Sequence, residues 1–291
     1  MTEWTAEREV SPAEASALAA AVRPGLAGAP VRLLATGWDN TVYLVGGTWV
    51  FRFPRRAVAV PGLERELAVL PRLAPYLPLP VPVPELVGAP TAAFPWPYTG
   101  ARLLPGIELA EAGPTVRAAA GAGRFLRALH ATDLDLPVDP LHRGDPSVRV
   151  PRARERLARL SVVYRPDPAV TALLDAAEPL GPPSGPVVVS HGDLHIRHLL
   201  LAADGRAAGV IDWGDACRAD PAVDLSLAYA GFDGAARDAF LDAYGAVPAG
   251  SEPRARVLAV FLCAALAEYA IATGRDRLRA TALTGIDRAA R

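Results

Sequence analysis

The residues best suited to chemistry lie between Ser190 and Asp224, in the stretch SHGDLHIRHLLLAADGRAAGVIDWGDACRADPAVDL. An apolar run, Val187-Val188-Val189, delivers Asp193 into a loop rich in histidine, and a second run, Gly209-Val210-Ile211, ends at Asp212. A carboxylate at the end of a buried strand is costly unless it meets a cation or hydrogen-bond donors. Two such carboxylates joined by a short hairpin can share one rim, where one orients a nucleophilic hydroxyl and the other holds a metal. Phosphoryl transfer needs these two parts, because its transition state calls for positioning and charge neutralisation rather than a covalent partner. A competing reading treats His191, Asp193, His195, His198 and Asp212 as the ligand set of a metallohydrolase, since His and Asp at short spacing bind metals. Taken singly, Asp193 could cap a turn and Asp212 end a strand; together with the histidines they point to a site.

The elements that must position these residues fall into two halves. Val31 to Ala35, Thr41 to Val45 and Thr48 to Phe53 read as strands, the last two joined at Gly46-Gly47. Gly37-Trp38-Asp39-Asn40 is the turn between the first two. Pro61-Gly62 opens a helix with Leu63, Leu67 and Leu70 at helical spacing. Leu77 to Pro84 is a proline-rich connector. From Pro114 the periodicity is helical, with Val116, Ala120, Phe125, Leu126 and Leu129 on one helix that ends near His130. Arg149 to Leu160 is a basic amphipathic helix whose arginines are expected on a solvated face. Val170 to Ala177 is another helix. Leu199 to Leu201 and Gly209 to Ile211 flank Asp204-Gly205 as a hairpin, and everything beyond Pro221 reads helical. The layout is a small β-rich lobe, a connector and a larger helical lobe.

Composition bounds the partners. The chain has 291 residues, with 30 basic against 31 acidic side chains, so no broad basic face for nucleic acid is expected. All the basic residues are Arg, which means that any chemistry needing a Lys must run on Arg here. Hydrophobic residues make up 51%, enough for a sizeable core. Cys217 and Cys263 are too few for a disulfide framework or a cysteine-built zinc site. The longest apolar stretch, Val257 to Ala267, is shorter than the roughly 20 residues that span a bilayer. Thr2 to Val10 has no apolar signal region. These features predict a cytoplasmic protein with no membrane partner.

HGDLHIRHLL followed by IDWGDACRADPAVDL resembles the aminoglycoside phosphotransferase family, and GWDNTVYLV, FRFPR and ERELAVL match it in order. The resemblance implies an α+β, protein-kinase-like bilobal fold, with an N-lobe over 1–104, a hinge near 101–104 and a C-lobe over 105–291. It implies transfer of the γ-phosphoryl of ATP or GTP to a hydroxyl of a small molecule, an antibiotic or related metabolite. Asp193 would be catalytic and Asp212 a Mg²⁺ ligand. The family's usual Asn ligand is replaced by His198, as in the macrolide phosphotransferase branch. Arg52, or its neighbours Arg55 and Arg56, would stand where a strand Lys grips the phosphates, with Glu66 preferred over Glu64 as its helix partner. Gly37 and Asn40 would cover the phosphates, Ala101 and Leu103 would meet the base, and His191 and Asp224 would support the loop. His195 leans to packing, Trp213 to core and Cys217 to an inert role. After Ile211, 11 acids against 9 arginines make no acidic funnel for a polycation. A nucleotide-binding pseudokinase is the alternative, supported by His198 and Arg52.

Overall fold

The computed structural model describes residues 6–37, 39–92 and 94–291; residues 2–5 and Trp38, on which part of the sequence reading falls, lie outside them. The chain forms two compact units. The first comprises residues 1–75, 81–104 and 213–215, and the second 76–80, 105–212 and 216–291. The 104/105 division therefore leaves two short segments on the other side: part of the connector belongs with the helical unit, and Trp213–Asp215 with the sheet.

The N-terminal unit begins with a helix that the sequence reading passed over, α1 (Pro12–Val22). Its signal is local: the Ser11 hydroxyl accepts from the Glu14 amide while the Glu14 carboxylate accepts from the Ser11 amide, a reciprocal cap. Five strands follow as one antiparallel sheet in the order β1 (Val31–Thr36), β2 (Asn40–Val45), β3 (Trp49–Pro54), β5 (Tyr98–Arg102), β4 (Pro84–Gly88). Gly46 and Gly47, both with positive φ, begin the three-residue turn, closed by Thr48, between β2 and β3, a conformation that glycine adopts without strain. The two-residue period of β3 sends Trp49, Phe51 and Phe53 into an aromatic core with Tyr43, Phe94, Tyr98 and α1. Arg52 is thereby turned to the opposite face. Helix α2 (Val60–Leu73) buries Leu63, Val69, Leu70 and Leu73, and with them the carboxylate-bearing Glu66.

The C-terminal unit starts with β6 (Ile107–Glu108), α3 (Leu109–Ala112), α4 (Val116–His130), α5 (Pro146–Leu160) and α6 (Pro168–Ala177). Then come β7 (Val188–Ser190), β8 (Leu199–Leu201), β9 (Ala207–Val210) and β10 (Cys217–Ala219). The chain finishes with α7 (Ala222–Gly231), α8 (Gly234–Tyr244), α9 (Ser251–Thr273) and α10 (Asp276–Ala289). Strands β8 and β9 form the expected hairpin, extended by β6, and β10 pairs antiparallel with β7. Helix α9 has the length and hydropathy of a membrane span, yet most of it is buried against α5, α7 and α10; it is the core helix of this unit. One expectation is corrected here. Arg152, Arg154 and Arg159 of α5 do face solvent, but Arg149 lies on the buried face with Val150 and Ala153.

Candidate active site

The loop after β7 is held from below by one buried carboxylate. Asp224, in the first turn of α7 and fully buried, accepts from the backbone amides of His191 at 2.8 Å and Gly192 at 3.0 Å. Gly192 has φ 88°, where a side chain would be strained. Behind Asp224 stand His130, with Nε2 at 3.2 Å, and Tyr244, whose hydroxyl is 3.0 Å from His130 Nδ1. Burial alone would raise the Asp224 pKa; the His130 hydrogen bond, His130 and His191 nearby and the amide donors reverse this and hold it below the ordinary value. The His191 ring ties the loop to the other carboxylate-bearing segment. Its Nε2 donates to the Ile211 carbonyl at 3.0 Å, and its Nδ1 accepts from the Asp193 amide at 3.3 Å. Acceptance at Nδ1 requires the neutral ring, and burial pulls its pKa down to about 4 even though the Ile211 bond and the nearby Asp224 carboxylate favour the charged form.

Asp193 and Asp212 are half-buried, with side chains 33% and 47% accessible, and His198 stands near both. His198 Nδ1 is 2.7 Å from the Asp193 carbonyl oxygen, which can only accept, so Nδ1 carries the hydrogen. Its Nε2 then faces Asp212 Oδ2 at 3.3 Å. A nitrogen lone pair and a carboxylate lone pair at that distance require a shared cation, either a proton or a metal. Burial disfavours the charged ring, but the Asp212 and Asp193 carboxylates outweigh it and hold the pKa of His198 raised. The same donor set, one carboxylate beside one imidazole nitrogen, fits a divalent cation in place of that proton. Asp212 itself has φ 69°; among the described non-glycine residues only His142 shares a positive φ. Backbone strain of this kind concentrates at functional positions.

His195 stacks on His198 with ring centroids 3.7 Å apart, and its Nδ1 accepts from the Arg197 amide. Atoms of Asp193, His195 and His198 also lie within 4.8 Å of one another, part of the cluster a metallohydrolase would need. The third histidine of that reading, His191, has both nitrogens committed to backbone groups.

In the N-terminal unit, Arg52 Nη1 lies 2.5 Å and 2.7 Å from the two Glu66 oxygens, and Glu66 Oε1 also accepts from the Trp213 amide at 2.8 Å. Glu64 is exposed on α2. Arg55 and Arg56 brace the β1–β2 turn: Arg55 Nη1 donates to the Gly37 carbonyl at 2.8 Å, and Arg56 pairs with Asp39. Gly37 and Asn40 close that turn through the Gly37 amide and Asn40 carbonyl at 2.9 Å. Ala101 lies inside β5 between β3 and β4. The Leu103 amide is already donated to the Thr48 carbonyl at 2.8 Å, which leaves its carbonyl and side chain for any nucleotide contact. Trp213 is fully buried, and Cys217 lies in a small apolar cluster with Val223 and Leu258.

Sequence reasoning missed His130 and Tyr244. Their positions, 94 and 114 residues apart from their partners, leave no local signal beyond polar groups on otherwise apolar helix faces.

A five-stranded sheet unit in which a buried Glu66 holds the half-buried Arg52, and a helical unit with two strand-end carboxylates, define a protein-kinase-like phosphotransferase architecture. Known proteins agree. The model of the "Phosphotransferase enzyme family" matches residues 30–258, most of the chain, and the chain belongs to that family. It is a phosphotransferase. Among solved structures, the GDP complex of aminoglycoside 2′-phosphotransferase-IIIa is similar with TM-score 0.70 at 19% identity, covering 97% of this chain and 99% of that one. Macrolide 2′-phosphotransferase MphH from Brachybacterium faecium is similar with TM-score 0.58 at 27% identity, covering 94% and 97%. A 37-residue segment is 51% identical to the uncharacterized protein YcbJ of Bacillus subtilis (strain 168), covering 13% of this chain and 12% of that protein's length.

Proposed function

We propose that this phosphotransferase moves the γ-phosphoryl of ATP or GTP to a hydroxyl of a small molecule, an antibiotic or related metabolite. The observation that carries the reading is the trio Asp193, His198 and Asp212, two partly accessible carboxylates with an imidazole that is bonded to the Asp193 backbone carbonyl and faces the Asp212 carboxylate. The acceptor hydroxyl donates its hydrogen bond to the Asp193 carboxylate, its oxygen bonds to the γ-phosphorus, and the bond to the β,γ-bridging oxygen breaks. The proton passes to Asp193. Asp212 and His198 Nε2 would hold Mg²⁺, which when bound neutralises charge on the β- and γ-phosphates. Arg52, oriented by Glu66, supplies the cation for the phosphates that a Lys would otherwise provide, with a planar fork in place of a compact ammonium. Gly37 and Asn40 are the turn over the phosphates, Ala101 and Leu103 the segment beside the base, and His191 and Asp224 the support of the loop. The printed complexes of relatives lend support: one phosphotransferase of this fold was solved with GDP and another with ADP and spectinomycin.

The test is thermal stability with ATP or GTP, with and without Mg²⁺, for the wild type and Asp212→Ala. A ligand that binds only the native state at a hundredfold excess over Kd stabilises it by about 2.7 kcal/mol. A Mg²⁺-dependent shift that Asp212→Ala abolishes is the expected result. No shift with either nucleotide would overturn the reading.

A further inference from the structure

A cavity of about 200 Å³ opens on the C-terminal unit and shares no residue with the Asp193–His198–Asp212 site. Three elements build it. Helix α4 contributes Arg117, Gly121 and Arg124, which helical spacing puts on one face. Gly121 gives the cavity its depth: α4 lies so close to β9 there that a Cβ on Gly121 would stand 2.9 Å from the Ala207 Cβ. The β8–β9 hairpin contributes Arg206 and Ala207, and the connector contributes Pro78 and Leu79. The Val210 amide donates to the Pro80 carbonyl at 3.0 Å, which pins the connector to β9 and holds that wall in place.

The lining is cationic, and its charge is not balanced. Asp204, at the hairpin turn, is shared by two arginines: Arg206 Nε lies 2.6 Å and Arg117 Nη2 3.7 Å from its Oδ2. Arg124 is exposed and, among the described residues, has no hydrogen bond or ion pair. No carboxylate lines the cavity itself. Three guanidinium groups beside one carboxylate leave two positive charges uncompensated. Helix α4 adds to the excess, because its first turn carries no acidic residue and Arg117 stands at the positive end of its dipole. The cations are also reachable: the Arg117 and Arg206 side chains are 62% and 60% exposed, so N–H groups not used on Asp204 face solvent.

We propose that this cavity binds a small phosphomonoester, with its phosphate among Arg117, Arg124 and Arg206 and its organic body on Pro78, Leu79 and Ala207. Charge selects phosphate over carboxylate. A phosphomonoester carries about −1.5 to −2 at neutral pH, which matches the excess, and it offers three acceptor oxygens to the guanidinium forks. Volume selects a small ester, since pockets for drug-sized molecules usually run to about 300–1,000 Å³. The proposal does not depend on the phosphotransferase reading.

The experiment is isothermal titration calorimetry of the full chain at about 0.15 M NaCl, which screens unspecific attraction. The ligands are glycerol 3-phosphate and glucose 6-phosphate, with glycerate, glycerol and glucose as comparisons. The wild type is expected to bind at least one of the two esters at a single site, about tenfold or more tightly than glycerate and the uncharged polyols. Arg124→Glu, at an exposed position with no partner to lose, is expected to weaken that binding by about tenfold or more, and Arg124→Lys by much less. Arg52→Met, which alters the N-terminal unit instead, is expected to leave it unchanged. Four results overturn the proposal: no binding of either ester at millimolar concentration, glycerate bound as tightly as the esters, undiminished binding by Arg124→Glu, or loss of binding in Arg52→Met. The last would put the esters in the nucleotide site.

Discussion

Replacing His191 with Gln should remove a defined part of the protein's sensitivity to acid. Folded His191 has its pKa near 4, against an ordinary value of 6.5, because burial disfavours the charged ring. The bond its Nδ1 accepts from the Asp193 amide also needs it neutral. Between those two values the unfolded state binds a proton that the folded state refuses, so stability is full above pH 6.5 and falls as pH drops through the window. One pKa unit corresponds to about 1.4 kcal/mol, which gives a total loss of about 3 kcal/mol, of which about 2 kcal/mol is spent by pH 5. Gln removes the titrating group. The wild type should therefore lose about 2 kcal/mol relative to His191→Gln between pH 7.5 and pH 5, whatever their offset at neutral pH. The assay is urea unfolding with EDTA present, followed by far-ultraviolet circular dichroism, since α4 to α10 dominate that signal and lie in the same unit as His191. Parallel pH profiles for the two proteins would refute the reasoning.

Three further outcomes follow from the geometry. Asp224→Asn can satisfy only one of the two backbone amides that Asp224 holds, and the buried donor left over should cost about 1–3 kcal/mol, read as a lower urea midpoint. Glu66→Gln removes the charge facing Arg52 while it can still accept from the Trp213 amide; nucleotide affinity should fall by roughly tenfold or more, measured by fluorescence titration with Mg·ADP, and an unchanged Kd would remove Arg52 from the phosphate site. Gly123→Ala would put a methyl 2.2 Å from the Phe240 carbonyl oxygen where α4 meets α8, and overpacking against backbone should cost at least about 1–3 kcal/mol, with little soluble protein as the extreme case.

How much of this was legible beforehand depended on how local the signal was. The strands around Gly46-Gly47 and Asp204-Gly205 carry their own turn chemistry, and the acids at the ends of apolar runs announce themselves by the cost of burying them. The family motif then supplied roles for Asp193, Asp212 and His198. Helix α1 was readable in principle from Ser11 and Glu14, whose mutual cap needs no tertiary contact. Strand β10 was not, because three residues with Arg218 in the middle have no periodicity, and only pairing with β7 makes them a strand. Composition also misplaced Arg149: a run of arginines on an amphipathic helix reads as solvated, and only the packing of α5 against α9 shows that its first member is inside. The partnership of His130 with Asp224 is likewise a tertiary fact, invisible at a separation of 94 residues.

The most direct test of the central claim follows the γ-phosphate itself. ATP and GTP labelled at that phosphate are incubated with Mg²⁺ and the wild type, Asp193→Asn or Asp212→Asn, in the presence and absence of hydroxyl acceptors. The account predicts label transferred to an acceptor by the wild type, and a loss of about a hundredfold or more in kcat for Asp193→Asn, in the range that positioned general bases supply. It predicts that Asp193→Asn still binds Mg·nucleotide and that Asp212→Asn does not. Undiminished transfer by Asp193→Asn, or transfer that proceeds equally with Asp212 replaced, would contradict it.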